Sequence, residues 1–182
     1  MFSFHVGEGL ELSLLEEHHA EDLYAAVDMN RDYLRAWLPW VDVTKSPNDT
    51  QLFIRSTAME FASRSSVVAG IWWDSSLVGT VGLHKIDWMN RRAEIGYWIV
   101  EQAQGNGLVS CCVKSMLHYA FHNLGMNRVE IRCAIGNERS RAVPERLGFC
   151  FEGIAREGQW LNGKFVDLRI YSKLACDLAK QV

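Results

Sequence analysis

The chain has 182 residues, of which 48% are hydrophobic and 23% charged, with a formal net charge of −3. That is enough apolar matter for one sizeable core and too little for two comfortable ones, so a single domain over residues 1–182 is expected. The charge balance offers no footprint for direct nucleic-acid binding or an anionic membrane surface, and no run approaches the roughly 18 apolar residues of a membrane helix.

The first fifteen residues carry Glu8 and Glu11 and lack the basic-then-apolar order of a leader, so a soluble, cytoplasmic protein is expected. Five cysteines, an odd number, include the neighbours Cys111 and Cys112 and show no CxxC spacing. A disulfide framework or a zinc site is therefore not expected.

In chain order, Leu10–Leu14 alternates with period two and reads as a strand, and Glu16–Met29 shows helical spacing. A short helix over Arg31–Leu38 stops at Pro39. Ser46-Pro47-Asn48-Asp49 then starts a longer helix reaching about Ser63. Val67–Trp73 and Leu77–Ile86 form a hairpin around Asp74-Ser75-Ser76, and Ala93–Val100 adds a third strand. Leu108–Leu124 is the strongest helix, with one apolar face and Gly125 as its stop. Arg128–Ala134 is a half-covered strand, Asn137–Leu147 a helix closed by Gly148, and Phe149–Glu157 and Phe165–Lys173 are strands around the turn Asn162-Gly163. Strand hairpins joined by helical crossovers imply an α/β (α+β) fold: a mixed, mostly antiparallel sheet of about seven strands with helices on both faces.

The segment Gln102-Ala103-Gln104-Gly105-Asn106-Gly107 lies between a strand and the best helix. Glycines there permit a tight turn and close backbone approach to a ligand, and the helix that follows offers unpaired N–H groups and a positive dipole end, which suit a pyrophosphate. Alone, the same pattern is also that of a plain tight turn.

The ordered set of motifs resembles the GCN5-related N-acetyltransferase (GNAT) family and, within it, the RimL-type branch that acetylates protein N-termini. The loop fits a Gln/Arg-x-x-Gly-x-Gly/Ala signature, Ala93-Glu94-Ile95-Gly96-Tyr97-Trp98 resembles the strand before it, and Asn137-Glu138-Arg139-Ser140-Arg141-Ala142 resembles the second cofactor-contacting segment. Glu145–Phe149 and the Asn162-Gly163 hairpin complete the match. The resemblance implies acetyl-coenzyme A as donor. It implies that the backbone of Ile99, Val100 and Glu101 pairs with the pantetheine amides, and that the loop from Gln102 through Gln104, Gly105, Asn106, Gly107 and Leu108 holds the diphosphate. The Asn137 side chain would reach the cofactor arm, although Asn137 is also a good helix N-cap in its own right.

By the same resemblance, Ser140 is the hydroxyl near the sulfur, a task many relatives give to a tyrosine one turn later, where this chain has Pro144. Proline supplies no hydroxyl and no N–H, and crowds the carbonyl four residues back, that of Ser140. RimL-type relatives carry a glutamate base before the aromatic-Leu-Asn-Gly hairpin; here that residue is Gln159, which cannot act as a base. Glu94 is the first substitute and Glu157 the second, with a plain polar face as the other reading of Glu94. An α-amine titrates near ~7.8 and a lysine near ~10.4, so freeing a lysine of its proton at neutral pH costs roughly 3.5 kcal/mol more. A weak base therefore favours a protein N-terminus as acceptor, entering beside Trp37 and Trp40, over a small amine such as a polyamine or antibiotic. A non-catalytic coenzyme A-binding protein is the third reading, and a homo-oligomer is expected from the relatives. His118 and His122, four apart, read as a solvated face for want of a third ligand.

Overall fold

The computed structural model describes residues 3–178. Eight strands form one sheet: β1 (Ser3–Gly7), β2 (Leu10–Leu14), β3 (Val67–Trp73), β4 (Ser76–Asp87), β5 (Arg92–Ile99), β6 (Arg128–Ala134), β7 (Cys150–Leu161) and β8 (Lys164–Leu174). Their order is β1-β2-β3-β4-β5-β6-β8-β7, and β5 with β6 is the single parallel pair among the described residues. The helices are α1 (Ala20–Asp28), α2 (Arg31–Arg35), α3 (Pro47–Ala62), α4 (Leu108–His118), α5 (Glu138–Arg146) and α6 (Ala175–Leu178). The fold class expected from the sequence holds, with β1 as the additional strand.

Local chemistry accounts for most boundaries. Asp49 Oδ2 accepts the N–H of Ser46 at 2.9 Å, and with Pro47 in the first position this starts α3. The two turns read from sequence are tight hairpins with positive φ at both central residues: Asp74 and Ser75 at 47° and 64°, Asn162 and Gly163 at 49° and 79°. Three elements differ from expectation, the first being the short helix expected over Arg31–Leu38, which stops at Arg35, before the turn that carries Trp37. The helix after the loop is α-helical only to His118; its last turn, Tyr119–Asn123, widens to a π-helix in which the Leu124 N–H reaches the Tyr119 carbonyl at 3.0 Å. That turn presents both Ala120 and Phe121 to the core. The strand expected to end at Glu157 runs on to Leu161 through a bulge, across which Ala155 faces Leu168 and Gln159 faces Val166.

The sheet has a core on each face. On one, α4 and Val143 of α5 pack Leu108, Cys112, Val113, Met116 and Leu117 against Val81, Leu83, Ile95, Val129 and Ile131. On the other, Ala20 and Leu23 of α1 and Ile54 of α3 close over Leu77, with Trp98 alongside. Odd-numbered side chains of β5 thus serve the α4 face and even-numbered ones the α1–α3 face, the alternation a strand imposes.

Candidate active site

The site is a consequence of one incomplete pairing. β5 and β6 run parallel only from Arg92↔Arg128 to Ile95↔Ile131 and then part, whereas β4 stays beside β5 through Gly79↔Ile99. The Val100 N–H is bonded to the Val78 carbonyl at 2.8 Å, so that residue faces β4. Backbone direction alternates along a strand, which turns the polar groups of Tyr97 and Ile99 the other way, into the gap that β6 has vacated. A cleft of about 690 Å³ opens there.

Three elements furnish its walls. From the loop, Glu101, Gln104, Gly105, Gly107 and Leu108 line it, with Gly105 at φ +79° and Gly107 at φ +74°. A side chain added at either glycine would meet nothing within 4 Å, so the glycines are there for the left-handed turn and for an open cradle. Gly107 is the N-cap of α4 and provides no side-chain cap, which leaves the first-turn N–H groups of Leu108, Val109 and Ser110 pointing at the cradle. Gln102 and Asn106 do not line the cleft. Asn106 Nδ2 staples the loop to the carbonyls of Ala103 and Gln104 at 3.3 and 3.2 Å.

The second wall is α5. Asn137 accepts the Ser140 N–H on Oδ1 at 3.0 Å, capping the helix and fixing Ser140 at the cleft. Arg139 and Arg146 also face it: Arg139 bonds Gln104 Oε1 at 2.5 Å, and Arg146 bonds Ser110 Oγ at 2.9 Å. Gln104 Nε2 is buried with no partner, a donor waiting for an acceptor in the cleft. An uncapped helix end, an open glycine cradle, two arginines and an orphaned amide fit a diphosphate-bearing cofactor.

The third wall carries the aromatic side. Tyr33 and Trp37 line the cleft, and the Trp37 ring lies 3.5 Å from where a side chain on Gly136 would begin. Trp40 instead packs against Trp98, with ring centroids 5.8 Å apart. The β7–β8 hairpin closes this end, its tip tied to α2 through Asn162 Nδ2 and the Arg35 carbonyl at 3.1 Å. The bulge in β7 aims Gln159 inward, while Glu157 is exposed with its N–H held by Asp167 at 2.8 Å.

The base expected at Glu94 is not brought to the cleft. It sits where β5 is still paired to β6, opposite Glu130, and its carboxylate is held by Lys85 at 2.9 Å and Arg132 at 3.5 Å. Two of the backbone donors expected for the pantetheine are likewise engaged: Val100 by Val78, and Glu101 by the Asn30 side chain at 2.9 Å. Asn30, Tyr97, Arg139 and Arg146 are site residues that sequence reasoning did not single out. Cys133 also lines the cleft; burial pushes its thiol up to about 11. His118 and His122 are exposed with rings 4.4 Å apart, and no metal-holding cluster occurs among the described residues.

A model of the acetyltransferase (GNAT) domain matches residues 10–150. The chain belongs to the GNAT family. It is similar to YdaF of Bacillus subtilis, a protein named for ribosomal N-acetyltransferase activity, with 41% identity over 96% of each chain. It is 29% identical to the ribosomal-protein-serine acetyltransferase of Escherichia coli over 93% of this chain and 94% of that one. A solved structure of RimL, a ribosomal L7/L12 α-N-protein acetyltransferase, superposes with a TM-score of 0.92 at 25% identity, covering 95% and 98% of the two chains. That structure holds coenzyme A, joined by a disulfide to one of its cysteines. This GNAT chain is an acetyl-coenzyme A-dependent N-acetyltransferase, as the ordered motifs implied. No helix among the described residues is long and apolar enough to cross a membrane.

Proposed function

We propose that this enzyme acetylates the α-amine at the N-terminus of a protein or peptide, with a ribosomal protein the first acceptor to test. The observation that carries the reading is the charge of the cleft: among the described residues Arg139 and Arg146 face it with no ion pair of their own against one lining carboxylate, Glu101, while Arg132 is balanced by Glu130 and Glu94. Such a lining attracts the donor's phosphates and repels a polycation, which disfavours a polyamine acceptor. The names of the three similar proteins, all given for ribosomal acetylation, support the same choice.

In this reading the loop from Gln104 to Leu108, with Arg139 and Arg146, holds the diphosphate, and the inward-facing backbone of Tyr97 and Ile99 pairs with the amide-bearing arm. The coenzyme supplies an activated acetyl thioester when bound. Ser140 provides a hydroxyl at the cleft and Asn137 fixes it there, and the proximity of Cys133 fits a thiol end lodged between β6 and α5. Gln159 orients rather than deprotonates. With Glu94 held by Lys85 and Arg132, the acceptor ammonium sheds its proton to water, a route open to an α-amine near neutrality and costly for lysine. The protein acts in the cytoplasm as a homo-oligomer; exposed Trp160, Phe165, Phe151 and Ile154 on the terminal hairpin support self-association.

The test is thiol release from acetyl-coenzyme A with a panel of peptides bearing free N-termini, peptides blocked at the N-terminus but carrying lysine, polyamines and aminoglycosides. Mass spectrometry then locates the acetyl group. Turnover confined to free N-termini supports the proposal; acetylation only of internal lysines or of a polyamine sinks it.

A further inference from the structure

Pro144 lies inside α5, where an α-helix would have residue 144 donate its N–H to the carbonyl of Ser140. Proline has no such donor, so that carbonyl needs another partner. It has one from across the cleft: the Tyr97 hydroxyl donates to the Ser140 carbonyl at 2.9 Å. Tyr97 stands on β5 just past Ile95, the last residue paired to β6, and both Tyr97 and Ser140 line the cleft.

The phenol has one proton, and the carbonyl takes it. Its oxygen is then left as an acceptor only, and Ser140 Oγ is the hydroxyl within reach, at 3.4 Å. With Asn137 Oδ1 holding the Ser140 N–H at 3.0 Å, both backbone polar groups of this residue are held by partners that also face the cofactor cleft, and its hydroxyl lies in loose reach of one of them. A serine near the start of a helix ordinarily turns its hydroxyl back onto a carbonyl three or four residues earlier. The phenol offers a competing rest position from which the hydroxyl rotor can turn without moving a heavy atom. Burial pushes the Tyr97 phenol above its ordinary range, so it remains a neutral donor throughout the working pH range.

We propose that Tyr97 is a positioning residue for Ser140, and that Pro144 serves it by leaving the Ser140 carbonyl free to receive the phenol. The two residues form one device: the proline removes the helix's own donor, and the tyrosine replaces it with one that also orients the catalytic hydroxyl. The inference rests on the reading that Ser140 meets the departing thiol.

The test uses the full-length chain and five variants: Tyr97→Phe, Pro144→Ala, Tyr97→Phe/Pro144→Ala, Ser140→Ala and Ser140→Ala/Tyr97→Phe. Each is measured for melting temperature, acetyl-coenzyme A Kd by calorimetry, and kcat and KM. Tyr97→Phe lowers both the melting temperature and kcat, the latter by about tenfold, the scale of one hydrogen bond missing from the transition state, with Kd within about twofold. Adding Pro144→Ala supplies a backbone N–H to the carbonyl, so the melting temperature recovers while kcat stays low. In the Ser140→Ala background Tyr97→Phe costs no further kcat. Recovery of kcat together with stability in Tyr97→Phe/Pro144→Ala, or an additive loss in Ser140→Ala/Tyr97→Phe, overturns the inference and leaves the role of Ser140 standing. An unchanged kcat in Ser140→Ala overturns both.

Discussion

The side chain of Asn30 bridges two parts of the site: Oδ1 accepts the N–H of Glu101 at 2.9 Å, and Nδ2 donates to the Ala26 carbonyl at 2.9 Å. Asn30 is 6% exposed, and it joins the end of α1 to the point where β5 leaves the sheet and becomes the cofactor loop. Helix α2, which presents Tyr33 to the cleft and leads into the turn that carries Trp37, begins at the next residue. One amide therefore couples the aromatic wall to the cofactor wall.

Replacing it with alanine strips a buried acceptor, the Ala26 carbonyl, and a partly buried donor, the Glu101 N–H, of their partner. Asn30→Ala is expected to cost about 1–3 kcal/mol of stability, the penalty for unpaired buried polar groups. It should also weaken acetyl-coenzyme A binding through the displaced loop. Urea titration and calorimetry check both. Asn30→Asp keeps the acceptor for Glu101 and loses the donor to Ala26, so it should retain more binding than the alanine variant.

Gly107→Ala separates folding from cofactor capture. The φ of +74° penalises a side chain by about 1–2 kcal/mol, yet the added methyl meets no atom within 4 Å, so the protein should fold with a modest loss. The turn that aims the α4 donors would relax toward ordinary φ, and acetyl-coenzyme A Kd should rise by tenfold or more. A Kd unchanged within twofold would remove the loop from the phosphate site.

What the sequence revealed follows from how local each cause is. The glycine loop, the Asn162-Gly163 turn and the Ser46–Asp49 helix start depend on neighbouring residues, and each lies where the residues place it. β1 was missed because its alternation rests on Phe4 and Val6 alone, and it gains definition only by pairing with β2. Glu94 was a reasonable base on its strand, but nothing in the sequence tells that β6 stays paired as far as Ile95 or that Lys85 and Arg132 reach its carboxylate. Tyr97 and Ser140 are 43 positions apart, and Asn30 and Glu101 are 71 apart. Those links exist only after the sheet has formed, so no local pattern carries them.

The β6–β8–β7 end of the sheet makes an acid-linked prediction. Arg128 holds Glu152 at 2.6 Å and Glu130 at 2.9 Å, and Ser172 donates to Glu152 at 2.7 Å. The Arg128 hydrogen bonds pull the Glu152 carboxyl down to about 2. A carboxyl lowered on folding contributes stability that is fully present above its unfolded pKa, about 4.3, and is lost as pH falls through the folded value. Glu152→Gln should therefore be less stable than the native chain at pH 6–7, with the gap shrinking between about pH 4.3 and 2. Because Glu152 is 38% exposed, the gap should also narrow in high salt. Urea melts at pH 6.5 and 3, each at low and high salt, read this directly.

The pH dependence of turnover distinguishes a protein base from none. Among the described residues Glu101 is the one carboxylate lining the cleft, and it lies in the turn that leads into the cofactor loop, while Gln159 occupies the aromatic end. If the acceptor releases its proton to water, kcat/KM should rise with pH along the titration of the peptide's own α-amine, levelling near its pKa of about 7.7–8.0. Peptides whose first residue lowers that pKa should move the limb by the same amount. Gln159→Glu places a carboxylate on the inward-aimed side of the β7 bulge, and it should raise the rate below pH 7 by several-fold and shift the limb to lower pH. A limb that ignores the peptide's pKa would instead point to a titrating group of the enzyme, and Glu94→Gln would then show whether its carboxylate acts through Arg132.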